Sequence, residues 1–155
     1  MEAMGTRPPR SGLRLLALVL GLGGCGGGGS PPTTPSPTPV PPPQPSIIRS
    51  DTVEIEENFA YFFPFYAPER GTIEATVEYT HEDADVTVWI AAGDCEPDAF
   101  FSGECVRLVG SREGSNPRTV SAGVQPEGTY TLVVWNRGPY TEMVSTRVYI
   151  TVYQG

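Results

Sequence analysis

From residue 47 onward, hydrophobic residues recur at every second position through most of the chain. In 72–79 (TIEATVEY), Ile73, Ala75, Val77 and Tyr79 fall on one side and Thr72, Glu74, Thr76 and Glu78 on the other. Segment 85–91 (DVTVWIA) aligns Val86, Val88 and Ile90, segment 129–136 (TYTLVVWN) aligns Tyr130, Leu132 and Val134, and segment 147–153 (RVYITVY) aligns Val148, Ile150 and Val152. A period of two marks strands buried on one face. Segment 60–66 (AYFFPFY) is apolar on both sides, and Pro64, which has no N–H for a ladder, predicts an edge strand or a bulge there. Shorter strands are expected at 52–55, 106–110 and 118–124, with turn signals at 69–71, 82–85, 116–117 and 126–128. No segment of this region carries a 3.6-residue apolar repeat. Seven or eight short strands without helices to cover a parallel sheet predict an all-β, antiparallel two-sheet sandwich over 47–155.

The region before it has a different character. Arg7, Arg10 and Arg14 precede or open the apolar run 13–22 (LRLLALVLGL), which is about half the roughly 20 residues a spanning helix needs and reads as a signal-peptide core. Leu22-Gly23-Gly24-Cys25 resembles the bacterial lipobox, an apolar residue and two small ones before a Cys. That resemblance implies a signal peptide over 1–24, removed on export, and a diacylglyceryl-modified, acylated Cys25 that anchors the chain in a lipid bilayer; several acyl chains together make such anchoring effectively permanent. Gly26 is not the Asp that resembles an inner-membrane retention signal, so the expected location is the cell envelope, at the outer membrane of a two-membrane cell. Residues 25–46 then form a linker: four glycines followed by a Pro-, Ser- and Thr-rich stretch, with nine prolines in 26–46. Polyproline II at about 3.1 Å per residue over some 16 residues would make a spacer of roughly 50 Å.

Composition narrows the chemistry. Gly and Pro supply 18 and 17 of the 155 residues, in keeping with a polar tail joined to one domain. All ten basic residues are Arg, and after position 25 seven Arg face 17 acidic residues, a net charge of −10. No basic cluster is available to neutralise phosphates, so nucleic acid is not an expected partner. One His and three Cys exclude the ligand-rich zinc frameworks. With Cys25 lipidated, Cys95 and Cys105 remain as an even pair in an oxidising compartment and read as a disulfide; a metal pair is the alternative, with no His or further Cys near it.

The order G-T-I-x-A-x-V from Gly71, D-A-D-V-T-V-W-I from Asp83, N-P-R-T-V from Asn116, P-E-G-T-Y-T-L-V-V from Pro126 and V-Y-I-T-V from Val148 resembles the bacterial pre-peptidase C-terminal (PPC) domain family over most of 52–153. The resemblance implies a jelly-roll-like β-sandwich that is not catalytic, of a kind that binds collagen, chitin or other polymers and in some members calcium. Such domains are usually appended to secreted hydrolases. Here the expected lipid anchor and stalk stand in place of such an enzyme, which counts against a protease-linked role.

Candidate site residues follow from both readings. His81, the single His, lies in the acidic turn THEDAD, and no Gly-x-Ser-x-Gly elbow surrounds any Ser, so no enzymatic activity is expected. Glu82, Asp83 and Asp85 in that turn are candidate calcium ligands, although their spacing matches no EF-hand loop and Asp also serves turns through its own backbone. No other cofactor is implied. If Val86, Val88 and Ile90 face the core, Trp89 faces outward, and the same count turns Trp135, Tyr149 and Tyr153 outward. Exposed Trp and Tyr on a rigid sheet offer large contact area at low entropic cost, which suits a ligand face; a covering loop would instead bury them. In the collagen-binding relatives, aromatic residues near the end of the strand matching 129–136 form part of the ligand face, and Trp135 occupies a similar position. The expected function is non-catalytic binding of an extracellular or envelope polymer, whether polysaccharide, collagen-like or other peptide. The alternative is an accessory subunit docking on a partner protein.

Overall fold

The structure is a computed structural model and describes residues 40–112 and 114–153. The expected signal peptide, Cys25 and the linker up to residue 39 lie outside the described residues. Among the described residues there are eight strands: β1 (Pro45–Ile55), β2 (Ala60–Ala67), β3 (Gly71–Tyr79), β4 (Val86–Ala92), β5 (Arg107–Ser111), β6 (Arg118–Gln125), β7 (Gly128–Asn136) and β8 (Glu142–Val152). A short helix, α1 (Pro97–Ser102), interrupts the connection from β4 to β5. The strands form two four-stranded sheets in the orders β1-β8-β3-β6 and β2-β7-β4-β5, with every pair antiparallel. This is the wrapped order of a jelly roll, in which the chain passes back and forth between two facing sheets.

The alternating rows meet where period two places them. Ile73, Ala75 and Val77 of β3 and Val144, Val148 and Ile150 of β8 face Val86, Val88 and Ile90 of β4 and Leu132 and Val134 of β7, and all are buried in one core. Phe63 and Phe65 of β2 close it from one side. Each such side chain contributes about 1.5–3 kcal/mol on full burial. Pro64 sits in an edge strand, since β2 pairs only with β7, and its side is exposed.

Three elements depart from the pattern. β1 begins at Pro45 rather than at residue 52, and β8 at Glu142 rather than at 147. Both extensions are driven by pairing with each other, from Pro45↔Thr151 to Ile55↔Glu142. β1 is an edge strand, exposed at six of its 11 positions, and a bulge between Ile47 and Arg49 breaks its alternation. In β8 two of the three early core-facing positions, Glu142 and Thr146, are polar and flank Val144, so no continuous apolar row announces the strand. α1 has only six residues, too few for a helical repeat to show; Pro97 starts it, and Gly103, at a left-handed φ of 84°, ends it.

Polar residues cap the core-facing rows. Asn136 is fully buried at the end of β7, where its amide N–H groups are shared among the carbonyls of Ile55 (3.1 Å), Glu56 (3.1 Å) and Tyr140 (2.6 Å), and its Oδ1 accepts from Gly138 N (3.1 Å). Arg118, 5% exposed at the start of β6, donates to the carbonyls of Val86, Arg112 and Gly114 and to the Tyr79 hydroxyl. Glu142, buried at the start of β8, accepts from His81 N (3.0 Å) and pairs with His81 Nδ1 (2.8 Å), fastening the β3–β4 turn. Tyr130 stacks on Phe65 and donates its hydroxyl to Pro126 O (2.5 Å); burial raises its pKa above the ordinary 10.0. Deleting the Asn136 amide leaves several buried backbone groups without partners, at about 1–3 kcal/mol for each that water cannot reach. Asn136→Ala is therefore expected to destabilise the domain by roughly 2–4 kcal/mol, read as a lowered urea midpoint at an unchanged slope.

Candidate functional site

The second sheet is apolar on its outer face as well as its inner one. Ala91 of β4 and Val133 of β7 point away from the main core yet are fully buried, because the β4–β5 connection folds over them. That connection is closed on itself by the disulfide Cys95–Cys105, with Cα atoms 6.0 Å apart, as the pair of cysteines predicted. Thr131 ties the start of the connection to the sheet: its hydroxyl donates to Gly93 O (2.8 Å) and accepts from Cys95 N (2.9 Å). Ala99 O accepts from both Glu104 N (2.9 Å) and Cys105 N (3.2 Å), so the turn after α1 is tightly wound.

α1 places Phe100 and Phe101 side by side with opposite fates. Phe100 is 1% exposed and packs edge-on against Phe62 (5.7 Å between centroids) and Trp89 (5.3 Å). Arg107 covers it, with Cζ 4.2 Å from the Phe100 centroid and Nη2 donating to Phe100 O at 2.8 Å. Phe101 is 52% exposed and meets Trp135 (5.3 Å) and Phe62 (6.3 Å), both edge-on. Arg137 Cζ lies over the Trp135 ring, 4.9 Å from its centroid. The result is a continuous aromatic surface of Phe62, Trp89, Phe101 and Trp135 with an Arg at either side.

The outward direction expected for Trp89 and Trp135 is the observed one, and both rings are half-buried by the covering loop and by each other, 6.2 Å apart. Trp89 lies flat on β5, where a Cβ built on Gly110 would come within 2.0 Å of Trp89 Cδ1; glycine at that strand position is required by the ring above it. The indole Nε1 of Trp135 is buried and has no hydrogen-bond partner among the described residues. Trp135 therefore presents ring carbon, not its N–H, at the surface. Tyr149 and Tyr153 do not join this surface. They lie on the β8 side of the first sheet, across the sandwich, where Tyr149 is half-buried and the Tyr153 hydroxyl accepts from Thr72 Oγ1 at 3.5 Å.

Glu82 and Asp83 are exposed, and Asp85 is engaged by Arg112 (Nη2–Oδ2 3.0 Å). Among the described residues no group of three or more His, Cys, Asp or Glu side chains is placed to hold a metal ion. His81 is likewise taken up by Glu142 and by the Tyr140 ring, 5.0 Å away. Sequence reasoning missed Phe62, Phe100 and Phe101. The signal for the last two was present as a pair of adjacent aromatics inside a loop closed by two cysteines.

No family model and no curated protein matches this chain. Among solved structures, the chain is similar to the Yersinia pseudotuberculosis-derived mitogen (13% identity, 73% of this chain and 89% of that one, TM-score 0.48). It is also similar to Aeromonas hydrophila PliG, a periplasmic lysozyme inhibitor of g-type lysozyme (13% identity, 70% and 88%, TM-score 0.48).

The disulfide holds the loop that covers Trp89. Closing a loop of this size is worth roughly 2–3 kcal/mol on the chain-entropy estimate. The Cys95→Ala/Cys105→Ala protein is expected to lose about that much stability. Its Trp emission should shift to the red as Trp89 gains water, whereas a double mutant with unchanged emission would mean that the loop stays seated without the bond.

Proposed function

We propose that this chain is an envelope lipoprotein, anchored through Cys25, whose sandwich is a non-catalytic binding module of PPC type for an extracellular or envelope polymer. The observation that carries the reading is the Phe101–Trp135 pair: an aromatic ring half in water, on a loop closed by a disulfide and seated on a two-sided sheet. Because the loop is already ordered, a ligand stacking there loses little further freedom to bind. Rings that offer carbon faces beside guanidinium donors suit sugar rings or the flat faces of peptide groups. Cys25 and the lipobox that resembles a lipidation signal support the anchored location, and the disulfide is in keeping with export.

Two measurements test the reading. Unlipidated protein (residues 26–155) is co-sedimented with peptidoglycan, chitin, cellulose and collagen. Saturable retention on one of them is expected, weakened on the order of tenfold or more by Phe101→Ala and by Trp135→Ala, as for residues at the centre of an interface. Retention on none would overturn the polymer reading and shift the weight to a protein partner. In cells, Cys25→Ser is expected to abolish incorporation of labelled palmitate and to move the protein from the membrane to the soluble fraction.

A further inference from the structure

A separate arrangement lies at the β1–β2 corner. β1 and β2 are edge strands of the two sheets, joined by a tight turn in which Phe59 N donates to Glu56 O (3.2 Å) and Asn58 takes a left-handed φ of 58°. The seam between them already holds one guanidinium. Arg49 donates to both carboxylate oxygens of Asp51 and to the carbonyl of Pro64, and its Cζ lies 5.7 Å from the Phe63 centroid. A planar cation is thus gripped by a carboxylate from β1 and an aromatic ring from β2.

Nearer the turn lies a second, open cleft. On β2, Tyr61 precedes Phe63 and tilts against it at 4.8 Å between centroids. On the β1 side, Glu54 and Glu56 follow Asp51, and Phe59 closes the turn. These four residues line a cleft of about 210 Å³, with Phe59 58% and Tyr61 41% exposed. Among the described residues, neither Glu54 nor Glu56 takes part in an ion pair. A cleft lined by two acidic and two aromatic residues favours a cation, and the rings favour one that is weakly hydrated and flat. Calcium would need six to eight oxygens, and two of the four lining residues, Phe59 and Tyr61, bring rings instead.

We propose that this cleft binds the guanidinium of an arginine side chain from a partner polypeptide. A polypeptide is favoured over a free guanidino compound because the cleft opens on two sheet edges. There β1 pairs only with β8 and β2 only with β7, so unpaired backbone groups lie alongside for an extended segment to use. The site is distinct from the surface around Phe101, and neither reading rests on the other.

The test is a titration of the ¹⁵N-labelled full chain with an acetylated, amidated pentapeptide of glycines around a central arginine, run beside its citrulline and lysine counterparts and N-acetyl-arginine amide. Saturable shifts at Glu54, Glu56, Phe59 and Tyr61 are expected with the arginine peptide. Affinity should fall about tenfold or more with citrulline, which keeps the shape and loses the charge, and less steeply with lysine. Glu54→Gln/Glu56→Gln, at two exposed positions, should weaken the arginine peptide to a similar degree, while Tyr61→Phe keeps the ring and should bind as before. Equal responses to arginine and citrulline, equal responses to arginine and lysine, or no saturable shift at these residues would each overturn the assignment. Equal affinity for N-acetyl-arginine amide would overturn the polypeptide and assign the cleft to a free guanidino compound. None of these outcomes touches the polymer assay, which reads Phe101 and Trp135.

Discussion

The second sheet must be covered twice. Ile90 and Leu132 face the first sheet while their neighbours Ala91 and Val133 face the other way, and all four are without exposure. A sheet of that composition cannot leave one side to water without giving up several kilocalories of burial, so the connection from β4 to β5 returns across it. The cover is small, a single short helix, and it stays in place through three fastenings: the disulfide, the Thr131 hydroxyl and the Phe100 ring. The exposed Phe101 is a by-product of the same requirement. Adjacent residues on a helix project about 100° apart, so a one-turn helix that buries Phe100 turns Phe101 away from the sheet.

The ends of the core are governed by hydrogen bonding rather than by area. Where β6, β7 and β8 run out, their core-facing rows end in Arg118, Asn136 and Glu142, each reaching carbonyls or N–H groups of a neighbouring turn. These turns have no strand partner, so a side chain supplies what a ladder would have supplied. The cost of burying a charge or an amide is offset because each of these side chains meets several partners at once.

What was legible in the sequence follows from what alternation encodes. Period two fixes which residues of a strand share a side, and so the cores of β3, β4, β7 and the second half of β8 were apparent; Pro64 pointed to an edge strand or a bulge, and the edge is what the fold has. It does not say which sheet a strand joins. Trp89 and Trp135 belong to one sheet and Tyr149 and Tyr153 to the other, and nothing in spacing alone separates them. Alternation also fails where the inward position is polar. Glu142 has the parity of Val144, Val148 and Ile150, so extending the row backwards would have placed it inside, but a lone Glu before a strand carries no such mark. The cover over the second sheet was hidden for another reason: it is specified by tertiary contacts between Phe100 and residues far along the chain, not by local pattern.

The antiparallel pairing of β1 with β8 has a mechanical consequence. The chain enters β1 at Pro45, opposite Thr151, and β1 runs its 11 residues to the corner at the far end of the sandwich, where Ala60 lies opposite Trp135. Tension between a tether upstream of Pro45 and a load held at that far end would act lengthwise along β1. The hydrogen bonds to β8 lie across that direction, so they would be strained together in shear rather than parted one at a time like a zipper. A domain loaded this way resists extension with its whole edge ladder, and yields only when many bonds fail at once.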